Sequence, residues 1–170
     1  MTDPSINTPD RVVRGGTRAR WWVFAALAGV ALTLDLWVKS AVVESLALGE
    51  RKEILPFLDL HYGVNDGVAF GLLSGRPSII FPAVAVALLA VVAYVALDRR
   101  PLAAVAGGLL AGGSGGNLFE RIVHGHVTDF LRLPYWPTFN LADVFIVAGV
   151  GLLLLNLALG LRREPVSEGR

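Results

Sequence analysis

The stretch NLADVFIVAGVGLLLLNLALGL, residues 140–161, carries one charged side chain, Asp143, ahead of a long apolar run. A hydrocarbon core roughly 30 Å thick is crossed by about 20 mostly apolar residues in helix, so this length predicts a transmembrane span. At 1.5 Å rise per residue, Asp143 stands only about 5 Å below the start of that helix, at the membrane surface. Toward the N-terminus, residues 102–119, 79–97 and 21–42 meet the same length requirement. The chain is 54% hydrophobic with a mean hydropathy of +0.60, more than a soluble domain of 170 residues usually carries. The expected fold class is an all-α membrane protein of four transmembrane helices. A cleaved signal peptide is the rival reading of residues 21–42. It fits poorly with a long leader and with Asp35 and Lys39 inside the apolar stretch.

Lys and Arg near the span ends set the expected orientation. Arg11, Arg14, Arg18 and Arg20, the pair Arg99 and Arg100, and the pair Arg162 and Arg163 fall on one side, which should be cytoplasmic. Both termini then lie inside. Residues 1–20 read as a disordered cytoplasmic tail, 21–163 as the four-span domain and 164–170 as a second tail. The opposite side receives residues 43–78 and the loop 120–139. In the first of these, Leu58, Leu60, Tyr62 and Val64 alternate with Asp59, His61, Gly63 and Asn65, the period of a half-buried strand. That predicts a small extracytoplasmic β-sheet. The apolar residues 68–73, too short to span, follow an Asn65-Asp66-Gly67 turn and are expected to lie in the interface. Gly108, Gly112 and Gly116 recur every four residues and predict close helix packing.

Concentrated arginines without a broad basic face argue against nucleic acid, and no cysteine is present for a thiolate site or nucleophile. His124 and His126 lack a clear third ligand, so no metal is expected. What remains is a set of polar groups beside helix ends: Asn117, Glu120, Arg121, Asp129, Asn140 and Asp143. Ionisable groups at membrane depth are costly and default to functional candidates. Asp129 lies in the loop joining the third and fourth spans, which can return it over Asp143. Two carboxylates in one site cannot both ionise easily, so one can act as base and the other as acid. Asp143, at the positive end of a helix, is expected to favour the ionised form and Asp129 to hold the proton.

Blander readings compete. Asn140 and Asp143 are spaced as a helix cap. Asp129 alone could be an ordinary loop acid, and Glu120 and Arg121 could simply end a helix, with Arg121 snorkelling. Asp35 and Lys39, four apart, suit a structural ion pair. A serine and lysine protease built on Lys39 finds no serine in a distinctive setting.

Five ordered blocks resemble the lipoprotein signal peptidases, the signal peptidase II family of bacterial aspartic peptidases. They are Asp35-Leu36-Trp37-Val38-Lys39, Asn65 to Gly71, Gly112 to Arg121, Val127-Thr128-Asp129-Phe130, and Phe139-Asn140-Leu141-Ala142-Asp143. The resemblance implies cleavage of diacylglyceryl-modified prolipoproteins before the lipidated cysteine, in the bacterial inner membrane near the outer leaflet, without a cofactor. It implies Asp129 and Asp143 as the catalytic dyad, with Asn65, Asn117, Arg121 and Asn140 supporting dyad or substrate. It also makes residues 43–76 a small sheet cradle and an interfacial helix that close over the lipidated substrate, with membrane lipids as further partners. Glu120 departs from the aspartate usual before the motif arginine, and Leu36 from the usual glutamine. The reading from another class is a non-enzymatic membrane subunit or small transporter, which predicts acids spread through the membrane depth.

Overall fold

A computed structural model describes residues 10–67, 73 and 75–161, with side chains between residues 18 and 160 of these. Among them are four helices, α1 (Asp10–Ser45), α2 (Pro77–Leu97), α3 (Pro101–His124) and α4 (Leu141–Leu161), and three strands, β1 (Arg51–Leu55), β2 (Leu58–Asn65) and β3 (Val127–Arg132). All four helices are long and apolar enough to cross a membrane. On α2 and α4, Val86, Leu89, Val147 and Leu154 are exposed on the isolated chain, which suits a lipid-facing surface.

Helix α3 stands in the middle and packs against α1, α2 and α4. Its small residues make this possible, since Ala103, Ala104, Ala106, Gly108, Gly112 and Gly113 are all buried. A Cβ on Gly112 would lie 2.5 Å from the Ala28 oxygen on α1, and one on Gly113 would lie 2.6 Å from the Ala142 oxygen on α4. Two faces of α3, about 100° apart, therefore admit a neighbouring backbone, one more than the spacing of Gly108, Gly112 and Gly116 predicts.

The sheet lies at one end of the bundle with antiparallel order β1-β2-β3. Val42 and Leu46 at the end of α1 bury Phe130 of β3, with Leu60, Tyr62 and Leu141 around them, and this small core ties the sheet to the helices.

Three expectations need correction. Helix α1 starts at Asp10, so residues 10–20 are helical where a disordered tail was expected. Once a span has met the cost of nucleation, each added residue gains a hydrogen bond, and Gly15 and Gly16, at about 1 kcal/mol each, do not stop it. Asp129 lies on β3 rather than in a loop, because the sheet recruits a strand from beyond α3. Val127 to Phe130 are buried on both faces, so the sequence shows no alternation. Helix α3 continues past residue 119 to His124 and is closed by Gly125 in the left-handed conformation, φ 81°. The interfacial segment over 68–72 and both outer tails, residues 1–9 and 164–170, lie outside the described residues.

Candidate active site

Strand alternation places Asp129. Its neighbours Phe130 and Thr128 face the α1 side, so Asp129 points the other way, toward α4. After β3 the chain doubles back, with Phe130 and Leu131 amides donating to the Phe139 oxygen at 2.9 and 2.7 Å and Phe139 N to the Leu131 oxygen at 2.9 Å. This return brings Asn140 and the start of α4 beneath Asp129.

The start of α4 is capped reciprocally. Asp143 N donates to Asn140 Oδ1 at 3.0 Å, and Asn140 N donates to Asp143 Oδ2 at 3.2 Å. The capping reading is therefore correct, yet it does not exhaust either residue. With its oxygen fixed by the cap, Asn140 aims its amide NH2 at Asp129 Oδ1, 2.7 Å away. Asp143 Oδ1 remains free of the cap and accepts from Asn117 Nδ2 at 2.9 Å. The other Asp129 oxygen accepts from Asn65 Nδ2 at 3.0 Å, and the Asn65 oxygen is held by Gly67 N at 2.9 Å. Each carboxylate is thus oriented by two residues, and Asn140 joins the two.

Asn65, Asn117, Arg121, Asp129, Asn140 and Asp143 line one cavity of about 260 Å3. Its remaining wall is mostly apolar, with Trp136, Pro137 and Phe139 above and Ile146 and Val147 on α4. Sequence reasoning missed this wall; the aromatic residues just before Asn140 were the available signal. Burial pushes the Asp129 carboxyl up to about 6, against the lowering effect of the Asn65 and Asn140 amides. The Asp143 charge raises it further, and Lys39 pulls it back.

Arg121 does not snorkel. Its guanidinium donates to the oxygens of Gly67 and Asn117, which stitches α3 to the turn after β2. Glu120 accepts from Thr128 N at 2.9 Å and Thr128 Oγ1 at 2.8 Å, tying α3 to β3. Lys39 is held by Asp35 at 2.8 Å, Glu120 at 3.0 Å and Asn117 Oδ1 at 2.8 Å, contacts that suit a structural ammonium better than a general base. Among the described residues, no three His, Asp or Glu side chains converge as metal ligands.

The family model described as signal peptidase (SPase) II matches residues 27–159. The chain belongs to the signal peptidase II family. It is 37% identical over 153 residues to a lipoprotein signal peptidase of Mesorhizobium japonicum, covering 85% of this chain and 90% of that protein. A lipoprotein signal peptidase of Brucella ovis is 35% identical over 154 residues, covering 86% and 96%. A bacterial membrane enzyme solved by the in meso method at 2.3 Å resolution superposes with a TM-score of 0.79 at 27% identity, over 86% of this chain and 94% of that one. A second, solved at 1.9 Å, gives 0.73 at 29% identity, over 79% and 91%. As a signal peptidase II, this chain is a protease and a multi-pass membrane protein, and the reading as a non-enzymatic subunit or transporter is not favoured.

Proposed function

We propose that this chain is an aspartic endopeptidase that cuts diacylglyceryl-modified prolipoproteins before the lipidated cysteine, with Asp129 and Asp143 as the reacting pair. The observation that carries this reading is Asn140, whose one side chain and backbone amide bind both carboxyls at the wall of a single cavity. Asp143, at the positive end of α4 and bonded by two donors, Asn117 Nδ2 and the Asn140 amide of the cap, acts as the base. It takes a proton from water, whose oxygen attacks the scissile carbonyl carbon. Asp129, with its carboxyl raised to about 6, gives its proton to the carbonyl oxygen; Asp143 then passes the proton taken from water to the leaving nitrogen as the C–N bond breaks, and the diol hydroxyl returns a proton to Asp129. Asn65, Asn117 and Asn140 orient the pair, and Arg121 borders the cavity as a donor for substrate.

The apolar wall of α4 and the aromatic rim suit a substrate whose acyl chains and signal helix stay in lipid while the scissile bond reaches the interface. In this reading both termini are cytoplasmic and the cavity lies near the outer leaflet of the bacterial inner membrane. The test is cleavage of a diacylglyceryl-modified prolipoprotein by the purified chain. Asp129→Asn and Asp143→Asn should each lose at least about 10³-fold in rate, within the range for losing a positioned acid or base. Either variant working at the wild-type rate overturns the reading.

A further inference from the structure

The mechanism leaves a buried cation unused. Lys39 is 2% exposed near the C-terminal end of α1, and its three short contacts lead out to both elements that carry the acids. Resting on the reading that Asp129 and Asp143 react, we infer that Lys39 is a positioning residue for both of them: through Asn117 of α3 and Asp35 of α1 it holds Asp143 and the start of α4, and through Glu120 of α3 it holds the strand β3 that carries Asp129.

The first arm is a matter of donors and acceptors. An ammonium can only donate, so it selects the oxygen of Asn117 and turns the amide NH2 toward Asp143 Oδ1. Without Lys39, the amide is free to turn its oxygen toward the carboxylate. The second arm runs through Asp35, which binds Lys39 with one oxygen and accepts from Ala142 N, 2.8 Å away, with the other. That bond satisfies an amide in the first turn of α4 that no helix carbonyl can reach. Gly116 makes room for this carboxylate, since a Cβ there would lie 2.5 Å from Asp35 Oδ2. The third arm is Glu120, whose carboxylate grips both the amide and the hydroxyl of Thr128, the residue before Asp129. The charges around the ammonium are Asp35 from α1, Glu120 from α3, Asp129 from β3 and Asp143 beyond Asn117, with Arg121 close to the last three. Glu44 on α1, Tyr62 on β2 and His124 and His126 beyond Glu120 line a cavity with Lys39 on its other side. Acids outnumber the cations Lys39 and Arg121 here, and Lys39 offsets part of that excess.

The test uses the full chain in lipid and reads kcat, KM and the pH profile of kcat/KM for prolipoprotein cleavage. Lys39→Met should lower kcat about 100-fold with KM within twofold, and it should move both limbs of the profile to higher pH because a cation has left the acids. Glu120→Gln should lower kcat about tenfold and move the limbs to lower pH because an anion has left. A purely structural role would lower activity or folded yield without moving the limbs, and that result overturns the inference. Wild-type kcat in either variant overturns it too. If Lys39→Met does not fold, Glu120→Gln decides by its opposite shift. Inactive Asp129→Asn and Asp143→Asn beside normal Lys39→Met and Glu120→Gln sinks this inference alone. Active Asp129→Asn and Asp143→Asn sinks the reading beneath it as well.

Discussion

Both ends of the bundle bury polar side chains between helices, but they treat their aspartates differently. At the sheet end, Asp129 is bonded by two neutral amides, stands beside a second acid and faces a cavity, and burial leaves its carboxyl raised to about 6. At the far end, Asp98 also suffers burial, yet its donors outweigh it. Arg100 N binds Oδ1 at 2.9 Å, Asn156 Nδ2 binds Oδ2 at 2.7 Å, the Arg100 guanidinium lies 3.8 Å away, and the carboxyl ends below the usual range. Arg20 and Tyr94 complete that knot, Arg20 through the Asp98 backbone oxygen at 2.7 Å. A carboxylate saturated by donors and a nearby cation is a fastener. One that remains underpaired beside a second acid is able to exchange a proton.

The largest separation between the two ends should be in activity. Asp129→Asn is expected to lose at least about 10³-fold in cleavage, about 4 kcal/mol of transition-state stabilisation. Asp98→Asn should stay within twofold and instead lower stability by about 1–2 kcal/mol, the range for a partly buried carboxylate with several donors. The comparison of the two ends breaks if both variants lose the same fraction of cleavage with equal folded yield.

The sequence exposed these two ends unequally. Spans, the glycine face of α3 and the sheet-end residues were legible because length, four-residue spacing and polar groups beside apolar runs are local signals. All six proposed site residues line one cavity. The knot around Asp98 left no such trace, since Asn156 looks like an isolated polar residue in an apolar run and its partners sit 58 and 62 positions away. Lys39 was legible as the partner of Asp35, four residues away, but not as the partner of Asn117, 78 positions on. The strand under Asp129 is not legible, because β3 is covered on both faces and so lacks the alternation that marks a half-buried strand.

Next in size is the pH dependence of stability, where the two aspartates should act with opposite sign. Asp129 is raised from 3.8 to about 6, so the folded chain keeps a proton that the unfolded chain has released. Its contribution therefore declines as pH climbs from about 4 to about 6 and stays lost above that, by about 3 kcal/mol at most. Asp129→Asn should melt progressively higher than wild type across that window, by less than the full amount because an amide cannot accept from both Asn65 and Asn140. Asp98 is lowered, so its stabilisation is present above its unfolded value of 3.8 and fades as pH falls through its lower folded value. The deficit of Asp98→Asn should accordingly be full at neutral pH and close in acid. Melting curves in detergent at several pH values check both, and parallel shifts for the two variants contradict the contrast.

The smallest expected effect tests how rigidly each end is held. Gly116→Ala and Gly160→Ala each put a methyl 2.5 Å from a charged side chain, Asp35 at the sheet end and Arg100 at the far end. The distances are the same but the freedom to move is not. Asp35 is fully buried and fixed by Lys39 and Ala142 N, so relieving the overlap must disturb the start of α4. Arg100 is partly exposed and meets the methyl with the end of a long flexible side chain, which can withdraw from the Asn156 oxygen with little else changing. Gly116→Ala should therefore cost about tenfold in cleavage, about 1.4 kcal/mol, while Gly160→Ala stays within twofold. Equal activities would mean that Asp35 can move as freely as Arg100, and that α4 does not need its first-turn amide held to keep Asp143 in place.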